Sequence, residues 1–248
     1  MLNDRQVNIL KLLEVNNLTS VNDLSDRLSV SSATIRQDLS FLESEGLLKR
    51  VHGGAVLEDA EDLSNRLGFS YDKKLRIARM AACLVNDGET ILIESGSTNA
   101  LLARELAKKK NITIITSNVY IARQLRKSDK TGVILLGGIY QPASESLVGK
   151  ITRASLDQIN FDKAFIGIDG YTAETGFTLR DLFRAEISSY IVKKATDAII
   201  ISDSTKFGKT ELTNICYLSD INRIATDNEL NASYHAEFKK AGIDLMLA

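Results

Sequence analysis

The chain has little of what metal and redox chemistry needs: two cysteines and two histidines in 248 residues. Cys83 and Cys216 lie in the apolar runs MAACLV and NICYL with no CxxC spacing, which reads as reduced, buried thiols rather than a zinc site or a redox motif. His52 and His235 do not suffice for a histidine-based metal site, and neither stands where a Ser-His-Asp triad would need it. No metal and no cofactor are expected. Long hydrophobic runs are missing too: no stretch approaches about 18 consecutive apolar residues, and no basic segment followed by an apolar one opens the chain. A cytoplasmic protein without membrane contact is therefore expected. The net charge is only −1. That argues against a non-specific nucleic-acid coat, because phosphate neutralisation supplies most of such affinity.

With 44% hydrophobic and 25% charged residues the composition is that of an ordinary globular protein. The length suits one large domain or a small one followed by a medium one, burying roughly 70–75% of the unfolded surface.

The first sixty residues carry a compact pattern. Asn3 with Gln6, and Ser20 with Asp23, are helix-start pairs in which a side chain satisfies free N–H groups. Val7, Ile9, Leu10 and Leu13 give the first helix one apolar stripe, ended by Asn16-Asn17, and Val21, Leu24 and Leu28 give the second its own. Ser29-Val30-Ser31 is the turn. A third helix over about 32–45 buries Ile35, Leu39 and Leu42, so that Ala33, Arg36, Gln37 and Ser40 face outward. This is the layout of a recognition helix, whose first residues, Ser32 and Ala33 among them, meet base edges. There Arg36 suits guanine and Gln37 suits adenine. Glu43 and Glu45 sit toward the far end, away from the phosphates. Gly46 stops the helix, and 47–57 reads as a small hairpin, a wing that lays Lys49, Arg50 and His52 on the DNA backbone. The first 56 residues hold six Lys and Arg against seven Asp and Glu, so DNA binding is argued from position and not from total charge.

The run SVSSATIRQDLSFLESEGLLKRVHGGA, residues 29–55, closely resembles the signature of DeoR-type repressors. The resemblance implies that Ser31, Thr34, Arg36, Lys49, Arg50 and His52 face DNA. Gln37 stands where a second arginine is common in that family, which bears on the half-site sequence rather than on the activity.

Residues 58–70, EDAEDLSNRLGFS, are acidic and lack an apolar period. They read as a linker between a winged helix-turn-helix domain, 1–57, and a sensor domain, 71–248. In the latter, short apolar strands such as TILIE, ITIITS, KAFIGID and DAIIIS alternate with amphipathic helices, the mark of an α/β domain with a largely parallel sheet. Ligands in such sheets bind at the carboxyl ends of strands. Polar residues gather there: Ser95, Gly96, Ser97 and Thr98 after TILIE, Thr116, Ser117 and Asn118 after ITII, Asp169 and Gly170 after AFIGI, and Asp203 with Lys206 after AIIIS. Thr178 and Glu186 flank the next helix start. A small-residue loop opening a helix offers free N–H groups and a positive dipole end to an anion, so 95–98 is a candidate phosphate cradle, with Lys206 as its cation. Asp169, Asn118, Asp203 and Glu186 are candidates for sugar hydroxyls.

ESGSTNALLA, ITSN, the Gly137-Gly138 turn, FIGIDG, GFTLRD with Glu186, and DSTKFGK look like the effector domain of the DeoR family, which shares its fold with ribose-phosphate isomerase and sugar-phosphate deaminases. The resemblance implies a phosphorylated sugar or sugar alcohol as effector, a homodimer or homotetramer, and operator DNA released on effector binding. Glu94 stands where the family usually has Asp, a difference of one methylene that bears on which sugar is accepted. The alternative is a phosphosugar isomerase or deaminase with an appended DNA-binding module. The related isomerases carry a D-G-A-D segment; Gly167-Ile168-Asp169-Gly170 keeps one of those carboxylates and loses the other, which favours a sensor that is not an enzyme. Gly208-Lys209-Thr210 imitates the end of a P-loop, but the glycine that motif requires is Asp203.

Overall fold

A computed structural model describes residues 2–16, 18–57, 63–126 and 128–248. The chain divides into two compact units, Met1–Asp72 and Lys73–Ala248.

The first unit runs α1 (Asp4–Asn16), β1 (Leu18–Ser20), α2 (Val21–Leu28), α3 (Ser32–Ser44), β2 (Lys49–Val51), β3 (Gly54–Val56) and α4 (Leu63–Gly68). The helix starts follow the expected caps. Asn3 and Gln6 bond reciprocally, side chain to backbone, and the Ser20 hydroxyl accepts the Asp23 N–H. Ile9, Leu10, Leu13, Leu24, Ile35, Leu39 and Leu42 form the core. The expected stop at Asn17 lies outside the described residues. Strand β1 was not foreseen: it pairs antiparallel with β3, turning the hairpin into a three-stranded sheet of order β1-β3-β2. Gly54 makes this possible, since a Cβ there would lie 2.4 Å from the Thr19 carbonyl oxygen.

Of the segment read as a linker, 58–62 lies outside the described residues. The remainder holds α4, in which Leu67 is fully buried, and the Ser70 hydroxyl donates to Glu14 at 2.9 Å.

The second unit continues through α5 (Tyr71–Ala82), β4 (Thr90–Ile93), α6 (Ser97–Leu106), β5 (Ile112–Thr116), α7 (Val119–Leu125), β6 (Thr131–Leu135), β7 (Ile139–Gln141), β8 (Ser146–Val148), α8 (Lys150–Asp157), β9 (Lys163–Ile166), β10 (Gly170–Thr172), β11 (Gly176–Leu179), α9 (Leu182–Lys194), β12 (Ala198–Ile201), β13 (Thr213–Cys216), β14 (Arg223–Thr226), α10 (Ala232–Lys240) and β15 (Asp244–Leu247). Seven strands form one sheet, ordered β15-β14-β12-β9-β4-β5-β6, and every neighbouring pair is parallel. The inner strands are apolar runs because helices cover both faces. Chain order reverses between β4 and β9, and the carboxyl ends of all seven strands share one rim.

Two smaller sheets were not anticipated: the hairpin β7-β8 and the antiparallel trio β10-β11-β13, which pairs Phe177 with Cys216. The expectation of two buried thiols is half corrected. Cys216 is buried, and burial pushes its thiol up to about 12. Cys83 is exposed, because α5 ends at Ala82 and gives way to tighter turns in which the Cys83 and Leu84 N–H groups bond three residues back.

Candidate DNA-binding face and effector site

On the first unit, Ser31 caps α3 by accepting the Thr34 N–H at 3.2 Å, so these two predicted contacts also start the helix. Ala33, Arg36, Gln37 and Ser40 are exposed on one face, Ser32 and Thr34 half-buried. Arg36 and Gln37 carry no side-chain hydrogen bond among the described residues. Lys49, Arg50 and His52 are exposed on the hairpin. Two contacts hold that hairpin against α3: the Arg50 guanidinium donates to Ser40 Oγ at 2.7 Å, and the Arg50 N–H donates to Glu43 Oε1 at 2.9 Å. Glu43 therefore stands at the base of the hairpin, tied to the Arg50 backbone. Asp38, on the inner side of α3, accepts from Arg5 Nε at 2.5 Å and Gln6 Nε2 at 3.0 Å. One of the acids in the charge count is thus already neutralised inside the fold.

On the second unit, Gly96 is the N-cap of α6, with φ +113° and no capping side chain, which leaves the first N–H groups of the helix without a side-chain acceptor. Ser95, Ser97 and Thr98 are buried around it. Asn118 donates through Nδ2 to Ser95 Oγ at 3.0 Å and to the Ser144 carbonyl at 2.9 Å, while its Oδ1 caps α7 by accepting the Ile121 N–H. Ser146, from β8, donates to Ser95 Oγ at 3.2 Å. Asn118 thus braces the cradle with both ends of its amide.

Glu94 and Asp169 follow the two strands at which the order reverses. Between them stands Arg184 of α9, whose Nη2 donates to Glu94 Oε1 at 3.3 Å. Burial, the largest single influence on Arg184, works against its charge, yet the Glu94 and Asp169 carboxylates outweigh it and hold the guanidinium above its ordinary value. Glu94 Oε2, Arg184 Nε and Asn99 Oδ1 are buried without a hydrogen-bond partner among the described residues. Gly167 permits this crowding, since a Cβ there would lie 2.8 Å from the Ser95 carbonyl oxygen. Gly170 is likewise a close approach, since a Cβ there would lie 2.6 Å from the Lys209 carbonyl oxygen, and the Thr178 hydroxyl accepts the Glu211 N–H at 3.0 Å.

One strand further along the rim, Asp203 caps a short 3₁₀ turn and accepts the Thr205 N–H. Burial, the largest influence, raises its pKa, but the Lys74 charge, the Thr205 bonds and the Lys206 charge together bring it below the usual value. Lys206 is half-buried. Glu186 is exposed, on the side of α9 away from Arg184, and the fold does not bring it to this cluster.

Residues 70–228 match the family profile described as the DeoR C terminal sensor domain, and residues 5–61 the DeoR-like helix-turn-helix domain. The chain belongs to the DeoR family. It is 35% identical to the HTH-type transcriptional regulator GolR of Listeria innocua over 99% of this chain and 98% of that one. To the lactose phosphotransferase system repressor of Lactococcus lactis it is 31% identical, over 94% and 93%. Among solved structures it is similar to ribose 5 phosphate isomerase A from Neisseria gonorrhoeae, with a TM-score of 0.40 and 17% identity over 54% of this chain and 52% of that one. So loose a likeness carries no activity across.

In this DeoR-family chain three rim residues escaped the sequence reading: Ser146, Arg184 and Lys74. The last two had a signal. Arg184 lies on the buried α9 stripe with Ser188 and Ile191, and Lys74 on the α5 stripe with Ala78 and Ala81. A cation at an apolar-stripe position must be paired when buried. Ser146 had none, because its place depends on how the β7-β8 hairpin folds back.

Proposed function

We propose that the chain is a transcriptional repressor of a carbohydrate-metabolism operon, released from operator DNA by a phosphorylated sugar or sugar alcohol. Residues 1–57 bind the operator, with Arg36 and Gln37 reading bases and Lys49, Arg50 and His52 holding the backbone. Residues 71–248 bind the effector. The observation that carries the reading is the uncapped start of α6 at the strand-order reversal, flanked by hydroxyls on one side and by paired charges on the other. A sugar phosphate asks for that combination: N–H donors and a cation for the phosphate, carboxylates and amides for the hydroxyls. The lactose-system repressor among the relatives supports a sugar-linked operon. The mechanism is linkage: an effector that prefers the conformation with weak operator affinity shifts the population toward it, and the two affinities couple reciprocally.

The test is a thermal-shift screen of the full chain against hexose, pentose, triose and alditol phosphates, each beside its unphosphorylated form. A ligand that binds the native state raises the melting temperature by mass action. The expected result is a rise with a phosphate ester and none with its free sugar. No rise with any ester would remove the sensor half of the proposal and leave operator binding to be judged by itself.

A further inference from the structure

Asp203 and Asp227 follow two neighbouring strands at the same level of the sheet. Strands β12 and β14 run parallel with Ile201 opposite Ala225, and each aspartate stands two residues beyond that pair. Asp203 is 4% exposed and Asp227 fully buried. Two carboxylates so placed and so shielded must be offset by cations and by hydrogen-bond donors. The first turn of α5 supplies the cations. Lys73 Nζ lies 3.0 Å from Glu229 Oε2 and 3.7 Å from Asp227 Oδ1, and the charge of the next residue, Lys74, acts on Asp203. Burial, the largest single influence on Lys73, works against its charge, and Glu229, Asp227 and Asp203 outweigh it.

The donors to Asp227 come mainly from one residue. Ser204 gives its N–H to Asp227 Oδ2 at 2.7 Å and its hydroxyl to Asp227 Oδ1 at 2.8 Å, and the Glu229 N–H adds a third bond at 3.1 Å. Ser204 opens the three-residue 3₁₀ turn Ser204–Lys206. So short a turn has few hydrogen bonds of its own to keep its shape, and it is fixed at both ends. Behind it, the Phe207 ring packs among those of Tyr171, Tyr234 and Phe238, with centroids 5.7, 5.6 and 5.9 Å away. At its start, Asp227 grips Ser204 while Asp203 accepts the Thr205 N–H.

We propose that Asp227 is the positioning residue of the effector site: by holding Ser204 it fixes the turn from which Lys206 reaches the phosphate of the effector. The proposal rests on the sugar-phosphate reading of the site, in which Lys206 is the cation for that phosphate. A lysine carries its charge on a flexible four-carbon stem, so the charge is delivered to one place only when the backbone beneath it is rigid. A turn that merely had to close the loop after β12 would be satisfied by Asp203, which already caps it. Asp227 adds two further bonds to the same turn, two residues before Lys206, and its burial calls for the charge of Lys73. Asp227 thus acts through Ser204 and Lys206 rather than by touching the effector.

The experiment is calorimetric titration of the full chain with inorganic phosphate and with hexose, pentose, triose and alditol phosphates. It compares the native protein, Lys206→Ala, Asp227→Asn, Ser204→Ala and the two double variants that join Lys206→Ala to Asp227→Asn or to Ser204→Ala. Lys206→Ala and Asp227→Asn are each expected to bind the ester that the native chain binds most tightly about tenfold more weakly, the size of one lost bond to a charged group. The double variants are expected to bind no more weakly than Lys206→Ala, because a turn without Lys206 has no cation left to place. Losses that multiply in the double variants would overturn the proposal, as would native affinity in both Asp227→Asn and Ser204→Ala. Should Asp227→Asn lose the native circular dichroism, Ser204→Ala, at a half-buried position, carries the comparison with an expected loss of about threefold. A native chain that binds neither phosphate nor any ester would remove the sugar-phosphate reading and the positioning role with it. Ester binding by the native chain with multiplying losses removes the positioning role alone.

Discussion

Arg184 and Glu94 lie 90 positions apart in the chain and meet, Nη2 to Oε1 at 3.3 Å, where the strand order of the seven-stranded sheet reverses. Side-chain exposure is 7% and 2%, so the pair is shielded from water and each charge depends on the other.

Removing one partner leaves an uncompensated buried charge, which costs about 3–5 kcal/mol, whereas replacing both by apolar groups of similar volume is near neutral. Arg184→Met and Glu94→Leu should each lower the urea midpoint strongly, and the double variant should recover most of the loss. Additive losses in the double variant would show that the two side chains act independently.

Gly96 has φ +113° and ψ 157°, a region open essentially to glycine alone, although no atom lies within 4 Å of the place a Cβ would take. Gly96→Ala therefore acts through backbone strain of about 1–3 kcal/mol rather than through a clash. The strain distorts the start of α6, so the variant should also lose the thermal shift given by the effector ester. A full shift in Gly96→Ala would move the phosphate away from this helix.

Asp203 has a pKa below its usual 3.8 in the folded chain: burial pushes it up, and Lys74, Thr205 and Lys206 more than compensate. A depressed folded-state pKa contributes stability above the unfolded value, and this is lost as pH falls through the folded value. Between about pH 5 and 3 the native chain should lose melting temperature more steeply than Asp203→Asn, which has no proton to bind there. Parallel curves would show that Asp203 does not contribute to the acid limb.

On the DNA side, Arg36→Ala should cost about 1–3 kcal/mol at one base position and relax selectivity there. Arg50→Ala should weaken binding to all sequences and reduce the salt dependence. It also removes the bond to Ser40 that ties the hairpin to α3. Equilibrium binding to a randomised operator library at two salt concentrations separates these effects; a sequence-selective loss in Arg50→Ala would contradict the wing assignment.

Much of the fold was legible because its signals are local. The caps at Asn3 and Ser20, the apolar stripe of α3 and the alternation of short strands with helices all depend on residues within a few positions of one another. The rim residues after β4, β5, β9 and β12 were legible for the same reason: in a parallel sheet, whatever follows a strand stands at the carboxyl edge. Local spacing alone thus specifies a helix-turn-helix unit followed by an α/β unit, and which loops lie at the carboxyl edge of the sheet.

Which of those residues meet is a matter of the folded chain. Asp38 found Arg5 across 33 positions, Ser146 reached Ser95 across 51, and Glu186 turned outward while Arg184 turned in. The antiparallel trio, the strand β1 and the exposed Cys83 belong to the same class. These outcomes follow from strand order and from where a helix ends. Neither is encoded in local spacing, because they are settled by the burial of surfaces that come together only in the folded chain.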